Sequence, residues 1–202
     1  MRPINGAVML AIAFMPAVAR AQEGELKLSA KAPSRISVAG TSTVRDWKCE
    51  ATQIEAAVTG ARIAMTASAK EVTAAAKHAE LTVPVAQLEC HNGTMNEHMR
   101  TALKADAHQT IQYRITHWDL TPRGDDEGVL TTSGTLAMAG AEKPISVELT
   151  AKRIADRTWR LTGSKTLKMT EWGMKPPSLM MGTMKVRDPV TVTFDIVLEP
   201  KS

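Results

Sequence analysis

The sequence predicts an all-β protein: an antiparallel, eight-stranded barrel with one short capping α-helix at about residues 94–106. Three observations predict it. Apolar and polar residues alternate with period two in run after run, turn-forming residues recur at short intervals between the runs, and only one segment carries a clear helical stripe. A chain of 202 residues with 44% hydrophobic content can bury a single core, and no repeat, linker or composition break divides it.

Residues 1–21 read as a secretory signal peptide. Arg2 precedes an uncharged, largely apolar run from Gly6 to Val18, and Ala19-Arg20-Ala21 supplies small residues ahead of Gln22. The run is too short for a membrane span and no later segment is apolar enough for one. The mature chain is therefore expected to be residues 22–202, soluble and exported to an oxidising compartment. In that oxidising compartment Cys49 and Cys90 are expected to pair, closing a loop of about 40 residues worth about 3–4 kcal/mol.

The strands follow in chain order. "RISVAG" offers Ile36 and Val38, while residues 60–78 read as a strand and then a loop. "ELTVPV" places Leu81, Val83 and Val85 on one face. The helix comes next, with Met95, Met99, Ala102 and Leu103 on one stripe and a capping box from Thr94 to Glu97. In "IQYRITHWDL" Ile111, Tyr113 and Ile115 share a face. Residues around Gly140 to Lys143 form a hairpin link to a strand that opens on Pro144 and alternates Ile145, Val147 and Leu149. The last run is the clearest, with Val190, Val192, Phe194, Ile196 and Leu198 opposite a mostly polar face. Trp118 and Trp159 are expected to cover the outside of the sheet.

A sheet of this kind hides its edges by closing on itself, and an eight-stranded barrel is either filled by side chains or holds one small molecule. The aromatic content of 3% favours a hollow interior, because Val, Ile, Leu and Met must do the filling. The formal charge of +4 falls once Arg2 and Arg20 leave with the signal, and the remaining bases are interspersed with acids, so a nucleic-acid partner is not expected. No nucleophile elbow, HExxH, phosphate-cradling loop, dinucleotide fingerprint or CxxC is present, and no catalytic residue is assigned.

Two clusters leave alternatives open. Met169, Met174, Met180, Met181 and Met184 suit ordinary packing, contact with a flexible hydrocarbon, or a copper(I) site. His91 and His98 beside Cys90 offer further ligands for such a metal, although oxidation of Cys90 and a place for His98 on the polar side of the helix favour no metal.

"GTSTVRDW" (Gly40 to Trp47), "VPVAQLECHNGTMNEHMRTALKADAHQTIQY" (Val83 to Tyr113), "SGTLAMAGAEKPISVEL" (Ser133 to Leu149) and "LKMTEWGMKPP" (Leu167 to Pro177), followed by "VRDPVTVTFDIVL", resemble the YceI-like proteins, in the family's order and over nearly all of the mature chain. The chain resembles the "GTST" branch of that family and departs from its usual histidine before Asp-Trp, where Arg45 stands. The resemblance implies a lipocalin-like barrel in the periplasm whose apolar interior holds a long amphiphile, such as a polyisoprenoid quinone or related lipid. It also implies that "GTSTVRDW" is a strand end and turn. No other cofactor is expected, the partner is the amphiphilic lipid itself, and a homodimer is compatible with the sequence. Val83, Val85, Ile111, Tyr113, Ile115, Ile145, Val147, Val192, Phe194 and Ile196 are expected to face the ligand, with Met95, Met99, Leu103, Trp172 and Met174 at the mouth or cap. The competing function is a metal-responsive envelope protein built on the methionine cluster.

Overall fold

The structure is a computed structural model and describes residues 23–64, 66–179 and 183–201. The expected signal peptide, Met180 and Met181 lie outside the described residues. The strands are β1 (Glu23–Ser42), β2 (Asp46–Ala51), β3 (Glu55–Ala64), β4 (Ala76–Pro84), β5 (Thr110–Pro122), β6 (Glu127–Met138), β7 (Ala141–Ala155), β8 (Thr158–Lys168), β9 (Ser178–Leu179) and β10 (Met184–Pro200). Two helices, α1 (Ala69–Ala75) and α2 (Gly93–Ala102), interrupt them.

Every strand pair is antiparallel, and β10 returns to pair with β1, so the sheet closes as an eight-stranded barrel. The long β1 carries two neighbours on one edge: Glu23–Ser29 pair with β3, and Ile36–Thr41 pair with β2. Thus β2 and β3 act as one broken strand of the circuit. On its other edge β1 has a bulge between Lys31 and Arg35 that contains Pro33, where a missing N–H does no harm to the ladder. Ser34 fills the gap, its hydroxyl accepting from the Val197 N–H at 2.9 Å.

The barrel has two unlike ends. At the end formed by the start of β1 and the close of β10, Leu26, Leu28, Ile63, Trp159, Ile196 and Leu198 are buried in the core, and none of them borders the cavity at the other end. Helix α1 lies across this end. Trp118 donates its indole N–H to the Thr73 carbonyl at 3.0 Å, and Arg153 reaches the Thr66 carbonyl at 3.2 Å. Ser68 and Glu71 cap α1 reciprocally. The sequence reading had placed a loop here. The alanine-rich stretch and the Ser68-x-x-Glu71 box together outweigh the strand-like alternation just before them.

Both tryptophans expected outside are turned inward. A bulge between Ile115 and His117 adds one residue to β5, shifts its phase, and sets Trp118 opposite Thr132 on the inner face. Trp159 shares the inward phase of Leu161 and Leu167 along β8, is 4% exposed, and has the Arg153 guanidinium 5.9 Å from its ring centroid.

Helix α2 sits at the opposite end. Its cap is Asn92, whose side chain accepts from the Met95 N–H at 3.0 Å, and not Thr94. Asn is among the strongest N-caps, and it starts the helix before the threonine. The helix ends at Ala102, short of residue 106, in a run of turns through Ala107. The Cys49–Cys90 disulfide is formed, and the adjoining Glu50 and Glu89 exchange two backbone hydrogen bonds of 2.8 Å. Asn96 then ties the helix to this junction by accepting from the Cys90 N–H at 2.8 Å.

Candidate functional site

The end of the barrel beneath α2 is hollow, with a cavity of about 410 Å³ whose wall is nearly all hydrocarbon. That volume is within the range of small-molecule sites. Strand alternation builds it: Ile36 and Val38 come from β1, Trp47 from β2, Leu81 and Val83 from β4, and Ile111 and Tyr113 from β5. Leu136 and Met138 follow from β6, Ile145 and Val147 from β7, Leu167 from β8, and Val186, Val190, Val192 and Phe194 from β10. Met95, Met99, Ala102 and Leu103, the predicted stripe of α2, form its roof.

The floor is polar but satisfied. The Tyr113 hydroxyl lies 3.2 Å from Thr132 Oγ1, which donates to the Val147 carbonyl at 3.1 Å, so the phenol is the donor to Thr132. Burial pushes the Tyr113 phenol above its ordinary value, and the hydrogen bond to Thr132 offsets part of that rise. It remains a neutral donor.

The mouth is framed by the "GTST" turn, where the Ser42 and Thr43 hydroxyls have structural tasks. Ser42 Oγ donates to the Arg45 carbonyl at 2.7 Å and accepts from the Val44 and Arg45 N–H groups at 3.2 and 3.1 Å. Thr43 pins the start of β10, its hydroxyl donating to the Thr183 carbonyl at 3.0 Å and accepting from the Lys185 N–H at 3.1 Å. Gly40 is required because a Cβ there would stand 2.5 Å from the Trp47 ring packed across it. The Trp47 Nε1 is buried with no hydrogen-bond partner among the described residues.

Of the residues singled out from sequence, Val83, Met95, Met99, Leu103, Ile111, Tyr113, Ile145, Val147, Met174, Val192 and Phe194 border the cavity. Four others do not. Ile115 and Ile196 lie deeper along their strands, beneath the floor. Val85 falls in a 3-10 turn, Val85–Gln87, where period two no longer applies, and Trp172 falls in another, Met169–Trp172, with its indole N–H on the Leu136 carbonyl at 3.2 Å. The sequence does not single out Trp47, Leu88, Leu136, Met138 or Val186 as facing a ligand, although Leu136 and Met138 belong to a legible alternating run, and it places Val190 only on the apolar face of the last strand. The polar wall residues Asn92 and Lys165 are not singled out by the sequence; Arg45, which stands in place of the family's usual histidine, borders the cavity, as does His98, expected on the polar side of α2.

The methionine cluster gains no support as a metal site. Met169, Met174 and Met184 line the hydrocarbon wall, Cys90 is consumed in the disulfide, and among the described residues no group of three or more His, Cys, Asp or Glu gathers. Among the described residues no helix is long and apolar enough to cross a membrane, and the disulfide is compatible with an extracytoplasmic protein.

Comparison with known proteins gives one family. The model of the YceI-like domain matches residues 24–198. Among solved structures, a polyisoprenoid binding domain from Saccharophagus degradans implicated in plant cell wall breakdown superimposes with a TM-score of 0.65 at 14% identity, over 86% of this chain and 98% of that one. BcnA of Burkholderia cenocepacia gives 0.63 at 16% identity, over 81% and 95%. A YceI protein of Campylobacter jejuni gives 0.54 at 13% identity, over 98% and 94%. At these identities the likeness is one of fold. No curated protein sequence matches the chain.

Proposed function

The chain belongs to the YceI-like family, and from that premise we propose that it is a non-catalytic periplasmic binding or carrier protein for a long amphiphilic lipid of polyisoprenoid, quinone or fatty-acyl type. The observation that carries the reading is the apolar cavity of about 410 Å³, opened by side chains from most strands of the barrel and roofed by α2. Each methylene moved from water into such a wall contributes about 0.8 kcal/mol, so a long tail binds firmly with few polar contacts. The solved domain from Saccharophagus degradans, described as polyisoprenoid binding, has the same fold and supports the same class of guest.

In this reading Val83, Ile111, Tyr113, Ile145, Val147, Val192 and Phe194 hold the tail, and Met95, Met99, Leu103 and Met174 close over it. Methionine suits that place, since its unbranched thioether adapts to guests of different shape. Residues 1–21 are the signal that delivers the chain to the periplasm, where the disulfide forms. N-terminal sequencing of the exported protein is expected to begin at Gln22.

Organic extraction of protein purified from periplasm, followed by mass spectrometry, is the test. A stoichiometric amphiphile is the expected result. A lipid-free protein that also takes up neither added ubiquinone nor a fatty amide overturns the reading.

A further inference from the structure

Lys165 is a cation where the alternation calls for hydrocarbon. Along β8 the residues Trp159, Leu161, Gly163, Lys165 and Leu167 share the inward phase, and Lys165 stands directly opposite Val192, itself part of the cavity wall. The residue is half-buried. No ion pair joins it to any described residue, and no carboxylate lines the cavity. Holding an ammonium against such a wall with no ion-pair partner is unfavourable.

The surroundings of Lys165 single it out further. The β7–β8 ladder runs from Ala155–Thr158 up to Leu149–Gly163 and stops there. Above that point Lys143–Ser146 of β7 and Lys165–Leu167 of β8 face one another across a cleft in the barrel wall. Ile145, Lys165 and Leu167 line both this side cleft and the central cavity. Lys165 therefore stands at a seam that joins the hydrocarbon interior to the outside, with Lys143 and Glu171 on the outer part of the cleft.

We propose that Lys165 is the head-group ligand, and that the barrel selects an amphiphile with an anionic oxygen head, carboxylate or phosphate, its tail in the cavity and its head at the β7–β8 seam. This rests on the lipid-binding reading above and narrows its ligand class. An ammonium-to-oxyanion contact in a partly desolvated wall is a charge-assisted hydrogen bond, stronger than any contact a neutral amide or alcohol head makes to the same amine.

The test titrates delipidated full chain with palmitate, hexadecyl phosphate and palmitamide, for the wild type, Lys165→Met and Lys165→Arg. The wild type is expected to prefer at least one anion over palmitamide by about tenfold, which is about 1.4 kcal/mol. Lys165→Met loses that preference, its affinity for the anions falling to that for palmitamide, while Lys165→Arg keeps the preference. Preference for palmitate alone assigns a carboxylate head, and for hexadecyl phosphate alone a phosphate head. Equal affinity for all three in the wild type, or an anion preference that survives Lys165→Met, overturns the inference and leaves a general lipid binder standing. Failure to bind any of the three overturns the inference, and failure to take up ubiquinone as well removes the lipid-binding reading with it.

Discussion

Ser42 shows how a residue that invites a catalytic reading serves shape instead. Its hydroxyl makes three hydrogen bonds to the backbone of its own turn and is left with no free lone pair or proton for chemistry. Ser42→Ala is expected to cost about 1 kcal/mol, read as a shift in the urea midpoint without change in slope. Asp195 offers a second residue-scale expectation. Arg160 grips both its oxygens at 2.7 Å and, chiefly through that hydrogen bond, holds the carboxyl below the ordinary aspartate range. A lowered folded-state value stabilises the protein above the unfolded aspartate value and loses that contribution as pH falls through the folded one. The stability difference between wild type and Asp195→Asn is thus expected to be constant near neutrality and to shrink below about pH 4 in parallel urea titrations. Residue identities alone give the face of most strand positions, though not of Trp118, which a bulge re-phases, nor of Trp159. They did not tell depth, which is why Ile115 and Ile196 face inward yet lie under the cavity floor while Val83 and Val192 border it.

Among the elements, α2 is the piece whose position matters to the cavity, and its anchorage is unusually local. The disulfide joins β2 to the segment just before the helix, Asn92 caps the first turn, and Asn96 holds the Cys90 backbone. Replacing Cys49 and Cys90 together by alanine is expected to lower stability by about 3–4 kcal/mol in denaturant titration and to speed ligand release, because the roof is no longer tied to the wall. A ligand off-rate equal to that of the wild type would show that the roof is held by packing alone. The helix itself was legible from the Met95, Met99 and Leu103 stripe, but its start was not, since Asn92 and Thr94 are both competent caps and only the fold chooses between them. Helix α1 was missed for a different reason. Its Ser68–Glu71 box was present in the sequence, but the adjoining "ARIAMTASA" alternates like a strand, and two short opposed signals cannot be ranked without the tertiary contact that Trp118 supplies.

At the scale of the whole molecule the cavity occupies the end of the barrel beneath α2, and this asymmetry was invisible to period-two reasoning. Alternation specifies an interior; it does not say how much of it is filled, because filling depends on which side chains meet at the same height from strands far apart in sequence. The two ends therefore respond oppositely to added bulk. Leu26 is fully buried in the core and does not border the cavity, and Leu26→Trp is expected to cost about 1–3 kcal/mol through overpacking. Val192 borders the cavity, so the ring of Val192→Trp enters a void, adds dispersion contacts in place of none, and leaves the lipid-free protein as stable as the wild type or more so. The same substitution occupies the volume the tail requires, so uptake of palmitate or ubiquinone should fall by more than tenfold while urea unfolding of the lipid-free form is unchanged or improved. A Val192→Trp variant as destabilised as Leu26→Trp would mean that the upper barrel collapses around its residues in solution, and the hollow that the carrier function depends on would be absent.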